Sequence, residues 1–217
     1  GSKPKFKQLT LSLNKLTGLC YATDELLEDS AVMEAVIRQA FAEEFGFKVD
    51  DAILRGTGTG EPLGILNSGS LVTVDKEVDQ TAKLTVENIV NMVARCIDRH
   101  GKAEWYLNRE LFPLLPTLKI GDTPVYLPGG SLANAPFGTL MGKPVNFIEQ
   151  ASAPGTVGSI MLGDLSEYLM IDKSGLNAQS SIHVRFLYDE TAFRFIYRVD
   201  GQPAWNSSLT PYKGANK

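Results

Sequence analysis

The stretch DELLEDSAVMEAVIRQAFAEEFGFKVDDAILRGTGTGEPLGILN, Asp24–Asn67, decides how this chain is read. Past its acidic lead-in, apolar residues recur at Met33, Ile37, Phe41, Phe45, Val49 and Ile53, flanked by Val36, Ala40 and Ala52. That spacing predicts one continuous ridge on a 3.6-residue helix, the spine of the molecule. Glu34, Arg38, Glu43, Glu44, Asp50 and Asp51 occupy the other side and predict a water-facing surface. Gly46 sits inside the run and costs roughly 1 kcal/mol relative to alanine, which apolar packing on both sides offsets, so the helix runs through it. Gly56, Gly58, Gly60, Pro62 and Gly64 then form a hinge, a sharp reversal that needs backbone angles only glycine adopts freely.

Working outward, Lys7–Leu13 alternates, with Leu9, Leu11 and Leu13 on one face, and predicts a half-buried strand. Gly18–Thr23 predicts a second short strand, after which Thr23 or Asp24 caps the first helical turn and Asp29 or Ser30 caps the long helix. Beyond the hinge, Leu71–Val74 reads as a short strand and Asp75–Lys83 as a polar loop. A second helix starts after Thr85, with Val86, Ile89, Val90, Val93 and Ile97 as its stripe, and stops at His100-Gly101. Ala103–Leu107, with Trp105, reads as a buried central strand, and Asn108–Leu115 as a short helix closed by Pro113 and Pro116.

Gly121–Gly142 is dense in glycine and proline and reads as loop. Strands follow at Pro144–Ile148, Ser159–Leu162 and Tyr168–Ile171, then at Ser181–Tyr188 and Thr191–Val199, joined at Asp189-Glu190. The tail from Gly201 to Lys217 is polar apart from Trp205 and reads as largely disordered. Together these elements predict an α+β fold.

The 217 residues carry a formal net charge of -4 with scattered lysines and arginines, which argues against a dedicated nucleic-acid-binding face. No stretch approaches the roughly 20 apolar residues of a membrane span, so no membrane partner is expected. Cys20 and Cys96 read as small buried hydrophobes in a reducing compartment. Gly1-Ser2 reads as a cloning scar and is left out of the fold reasoning.

The glycine run is the obvious candidate for a phosphate cradle. Gly56-x-Gly58-x-Gly60 is not G-x-G-x-x-G, however, and it follows a long helix instead of opening one. Gly129-Gly130-Ser131-Leu132-Ala133 imitates a nucleophile elbow only in part. His100 and His183 lack metal-ligand or triad spacing, and Asp189 and Glu190 would point to opposite faces of a strand. The expectation is no catalytic residue, no metal and no cofactor, with a nucleotide-binding enzyme built on Gly56–Gly64 as the rival from another class.

Thr23–Ser30 and Gly56–Asn67, in this order around a long helix, resemble the major capsid protein family of tailed bacteriophages. The family pattern is a strand, a T-D-E-L-L-x-D turn, a spine helix and an N-G-x-G-x-x-x-P-x-G-I-L hinge; here Arg55 stands where asparagine is frequent. The likeness continues at Gly142–Val145, at Gly163-Asp164, and around Asp189-Glu190 and Tyr197-Arg198. It implies the tailed-phage capsid fold, with a peripheral domain from 1–68 and 177–200 and an axial domain from 69–176 and 201–217.

The same resemblance implies a structural head protein, not an enzyme, that self-assembles into an icosahedral shell around double-stranded DNA. Its partners would be other capsid subunits in pentamers and hexamers, with scaffold, portal and maturation protease, and DNA bound without sequence specificity. Its location would be the virion capsid, and the bacterial host cytoplasm before assembly. Family members carry an N-terminal arm and extended loop before the first strand seen here, so a truncated, assembly-deficient core is expected. Some members crosslink a lysine to an asparagine seven residues before an acidic residue; counting back from Asp189 gives Ile182, which implies no crosslink. Encapsulin compartments share the architecture and supply the rival with protein cargo.

Overall fold

The computed structural model describes residues 8–29, 32–75, 84–98, 100–128 and 138–204. In chain order the elements are β1 (Asn14–Thr23), α1 (Asp24–Asp29), α2 (Met33–Arg55), α3 (Val86–Arg95), β2 (Glu104–Leu107), β3 (Lys119–Ile120), β4 (Thr123–Pro124), β5 (Tyr126–Leu127), β6 (Thr139–Leu140), β7 (Lys143–Phe147), β8 (Ile160–Gly163), β9 (Tyr168–Asp172), β10 (Asn177–Arg185) and β11 (Glu190–Pro203). They fall into two compact units, one from described residues within 1–67 and 168–204, the other from those within 68–167.

The first unit is organised on β11. Its rich run of β-branched and aromatic residues suits a long central strand, and β1 pairs with it antiparallel without a break from Asn14↔Val199 to Thr23↔Glu190. On its other edge β10 pairs from Asn177↔Ile196 to Ser181↔Ala192 before the register shifts, and β9 takes the far end from Val199↔Asp172 to Pro203↔Tyr168. α2 lies on this sheet through the middle of its ridge. Phe41 stacks on Phe195 with ring centroids 4.2 Å apart and planes 11° from parallel. Phe45, Ala22, Phe193 and Phe195 form the buried centre, with Ile37, Phe41 and Leu16 packed around it.

Gly18 is where β1 passes beneath the helix. A Cβ there would lie 2.7 Å from a ring carbon of Phe41 and 3.0 Å from one of Phe45, so the strand needs a residue without a side chain to let both rings down. The outer side of α2 carries Glu34–Arg38, Glu44–Lys48 and Asp51–Arg55 pairs four residues apart. In each the acid precedes the base, the orientation that supports a helix by a few tenths of a kcal/mol.

The second unit has the sheet order β5-β6-β7-β2-β8. β2 lies inside it, parallel to β7 and antiparallel to β8. Trp105, Leu107, Leu115, Leu140, Val145 and Ile89 are fully buried, and the indole Nε1 donates to the carbonyl of Leu140 at 2.9 Å. Lys143 pairs with Asp98, whose carboxylate also accepts from the amide of Ala103; the Lys143 hydrogen bond holds that carboxyl below its usual range.

Several boundaries differ from the sequence expectation. No strand forms at 8–13: the segment is held by side chains, with Ser12 N bound to Asp200 Oδ2 at 2.6 Å and Gln202 Nε2 to Thr10 O at 3.2 Å, and ladder pairing starts at Asn14. The two strands expected before the helix are thus one. Leu71–Val74 is irregular. α3 ends at Arg95, where Cys96 N closes onto Met92 O and Val93 O, so Ile97 lies past the helix and is 41% exposed. Pro113 and Pro116 do not close an α-helix; they sit inside a 3-10 segment, Arg109–Thr117, capped by Asn108 accepting from Glu110 N. Its short turns tolerate missing amides better than a long α-helix does.

The expected loop Gly121–Gly142 contains β4, β5 and β6 among its described residues. β10 begins at Asn177 rather than Ser181 and gives way to a 3-10 turn over Phe186–Tyr188, while β11 continues to Pro203. β9 and residues 201–203, placed in the second domain by the sequence reading, pair with each other in the first unit's sheet. The caps expected at Asp29 or Ser30, the loop 76–83, Gly129–Ala133 and Trp205 lie outside the residues whose side chains are described.

Phe195 is fully buried between helix and sheet, and truncating such a residue leaves a cavity as well as lost contact. Phe195→Ala should therefore cost about 3–5 kcal/mol. Urea unfolding followed by circular dichroism checks this, and a shift below about 1 kcal/mol would contradict the packing described.

Candidate functional site

The hinge begins where α2 ends. Gly56 N bonds back to Ala52 O at 2.9 Å, and the chain leaves the helix in an extended conformation at Gly56. It turns through Gly58 at φ 77° and Gly60 at φ 76°, a region that disfavours any residue with a Cβ. It then returns alongside itself: Thr57 and Leu63 form an antiparallel bridge, Gly58 N bonds to Pro62 O at 3.3 Å and Gly64 N to Gly56 O at 2.8 Å. The returning strand lies so close to the helix end that a Cβ on Gly64 would stand 2.5 Å from Gly56 N and 2.7 Å from Arg55 N. One on Gly56 would stand 2.1 Å from Pro62 O.

Two further groups lock this turn. Asn67 Nδ2 donates to Arg55 O at 2.6 Å and to Gly56 O at 3.1 Å, satisfying carbonyls that a helix C-terminus leaves without an internal partner. Leu63 is held from both sides, its amide donating to Gly201 O at 2.8 Å and its carbonyl accepting from the Tyr168 hydroxyl at 3.1 Å. Tyr168 reaches Leu63 across β11, where a Cβ on Gly201 would stand 2.6 Å from the phenol ring. Burial, with the nearby Asp200 carboxylate adding to it, pushes the Tyr168 phenol up to about 12, so it stays protonated and able to donate.

The same geometry argues against an anion cradle. Glu61 Oε1 accepts from Thr57 N at 2.8 Å and from Thr57 Oγ1 at 2.9 Å, so the loop's own carboxylate fills that place. The helix presents its C-terminal, partially negative end here, which repels phosphate. Alongside lies a cleft of about 240 Å³ whose walls include Lys15, Lys48 and Arg55 but also Asp51 and Glu61. Its charges nearly balance.

Of the ridge residues, Phe45 is buried and Met33, Ile37, Phe41, Val49 and Ile53 are half-buried, while Val36 is 51% exposed. Leu54, outside the ridge, is buried at the last turn. The structure brings Gly56, Gly58, Pro62 and Gly64 together in one turn and leaves Gly60 at its open tip. Sequence reasoning left Asn67 without a role and missed Tyr168 and Gly201. Asn67 following a glycine hinge was a usable signal; Tyr168 and Gly201, over 100 residues away, gave none. His100 Nε2 lies 3.3 Å from Glu167 Oε1, and His183 is an exposed residue of β10. Among the described residues no cluster of histidine, cysteine and carboxylate could hold a metal.

Gly64→Ala forces backbone against backbone and should cost about 3 kcal/mol. Gly60→Ala meets open space and pays only the left-handed backbone cost of about 1–2 kcal/mol. Thermal unfolding should rank them in that order, and equal melting temperatures would contradict the close approach. Tyr168→Phe should lose about 1 kcal/mol with its hydrogen bond. Because the folded phenol titrates above its unfolded value of about 10, its contribution is complete below about pH 10 and is lost as pH rises toward 12. The stability gap between wild type and Tyr168→Phe should accordingly be constant up to about pH 10 and shrink above it.

The arrangement is a closed backbone reversal bonded to residues of its own unit. The fold matches the capsid of a native GTA particle with a TM-score of 0.75 at 21% identity, covering 93% of this chain and 72% of that one. It matches a chain of Microbacterium phage Oxtober96 with a TM-score of 0.65 at 16% identity, over 90% of this chain and 67% of that one. It also matches the holo-SrpI encapsulin complex of Synechococcus elongatus PCC 7942, with a TM-score of 0.63 at 12% identity, over 89% and 71%. Among curated proteins no sequence matches the chain. The model of the phage capsid family, however, matches residues 1–214. With nearly the whole chain covered by that model and the fold shared with phage heads, the protein belongs to the phage capsid family and is a structural major capsid protein.

Proposed function

We propose that this capsid protein self-assembles into an icosahedral shell around double-stranded DNA and carries out no catalysis. The observation that carries the reading is the family match over residues 1–214. In this reading the unit built on α2 and β11 is the peripheral domain, the unit built on β2 is the axial domain at the five- and six-fold positions, and Gly56–Asn67 is the joint at which the chain leaves the first. A rigid joint suits a shell because every copy must present its surfaces in the same geometry. Many moderate contacts then hold the particle by avidity.

The net charge of -4 supports an inner wall that does not adsorb DNA strongly, so the nucleic acid is enclosed rather than recognised. Scaffold, portal and maturation protease are the expected accessory partners, with the host cytoplasm as the place of assembly. The protein's own carboxylate in the glycine turn speaks against a nucleotide-dependent enzyme at that place.

Production of the full-length protein together with its genomic neighbours, followed by electron microscopy of the sedimenting fraction, tests this. Uniform closed shells containing nuclease-protected DNA are expected. Shells filled with protein would move the reading to an encapsulin-like compartment, and no closed particles at all would overturn it.

A further inference from the structure

The face of the first unit's sheet turned away from α2 gathers cations that lie far apart in sequence. Leu16, Cys20, Phe193, Phe195 and Tyr197 pack towards the helix, and alternate residues of a strand point to opposite faces. Lys15, Leu19 and Tyr21 of β1 and Arg194, Ile196 and Arg198 of β11 therefore turn the other way. Lys15 stands directly opposite Arg198, and Leu19 opposite Arg194. Across β11 from Lys15, Lys173 donates its amide to Arg198 O at 3.0 Å. Pairing thus sets three cationic residues in one row on neighbouring strands about 5 Å apart.

Like charges directly opposite one another weaken a strand pair, and no described acid relieves these. Among the described residues Lys15, Lys173, Arg194 and Arg198 form no ion pair, and Arg194 Nη2 donates to the neutral Gln179. The neighbouring acids are committed elsewhere. Glu190 pairs with Arg185, and the buried Asp200 accepts from Ser12 N and Gly201 N. Asp172 lies opposite Val199, on the helix side. Along α2, on the other surface of the unit, five acids stand against three bases between Glu34 and Arg55. The formal charge of -4 for the chain thus conceals a unit that is basic on one face and acidic on the other.

We propose that this sheet face docks an acidic, partly apolar segment of a different protein, with carboxylates on Lys15, Arg198, Lys173 and Arg194 and an apolar side chain on Leu19. Charge complementarity selects the acid, and exposure selects a protein to carry it: Leu19 is 58% and Tyr21 44% exposed beside the cations. A phosphate backbone would meet the charges and leave those apolar surfaces bare, whereas a protein interface buries aromatic and aliphatic groups inside a polar rim. The same face of a second copy would set cation against cation. The contact goes beyond shell formation and does not require it.

Fluorescence anisotropy of a labelled peptide of alternating glutamate and leucine, titrated with the protein at low ionic strength, tests this. Wild-type protein should bind it, and added salt should weaken the complex. Lys15→Glu combined with Arg198→Glu should weaken binding by about tenfold or more, and Leu19→Asn should weaken it several-fold. Arg38→Glu combined with Lys48→Glu makes the same change of net charge on the helix face and should leave binding unchanged, with thermal unfolding checking that each variant folds. Equal loss in the two charge reversals, or no binding by wild type, overturns the docking surface. Duplex DNA bound as tightly as the peptide, sensitive to the Lys15 and Arg198 reversal but not to Leu19→Asn, gives the face to a phosphate backbone and overturns it too. So does self-association of the protein that the same reversal abolishes, which gives the face to the helix side of a second copy. Every one of these outcomes is read on binding alone, so the shell reading stands or falls separately, on electron microscopy.

Discussion

Everything in the first unit depends on how closely the chain can pass its own helix end. Gly64 comes back against the last turn of α2 at a separation that no side chain could occupy, and Gly56 faces Pro62 more tightly still. That approach puts Leu63 where Gly201 and Tyr168 can hold it, and so ties the end of the helix to the far end of β11. Without two glycines at this crossing the loop would stand off, and the helix would be anchored only through its middle. The energetic weight lies in exclusion rather than attraction: the hydrogen bonds are ordinary ones, each contributing about 1 kcal/mol net, but the alternative geometry is sterically barred.

The helix itself shows why such an anchor is needed. Only Phe45 and Leu54 of its 23 residues are buried, and its firm contact with the sheet is the short span from Ile37 to Phe45. A long helix held at one patch would pivot. The C-terminal lock supplies a second point of attachment some ten residues further along, at Arg55 and Gly56, and the Glu44–Lys48 and Asp51–Arg55 pairs support the intervening turns by a few tenths of a kcal/mol each.

How much of this could be read from the sequence follows from the range of the forces involved. The helix and its ridge were legible because amphipathic periodicity is local, and the reversal was legible because glycine and proline act on their own backbone angles. The alternation of leucines over 9–13 misled, because a period of two says that an extended segment could pair but not that a partner strand is there; the partner, β11, stops meeting β1 at Val199↔Asn14. The run at 71–74 misled for the same reason. Helix ends past Arg95 and the 3-10 segment at 109–117 turned on a few backbone bonds that composition does not encode.

The joint divides along the same line. Gly56, Gly58, Gly60, Pro62 and Gly64 announce a turn, but a turn of this composition equally suggests a place for phosphate. The decision between the two uses rests on Glu61, whose carboxylate occupies the Thr57 amide and hydroxyl, and on Tyr168 and Gly201, which are distant in sequence. A glycine loop that binds a ligand must leave its amides free and face a helix N-terminus. This one closes on its own side chain at a helix C-terminus, and its glycines permit the close approach of the returning chain to the helix end.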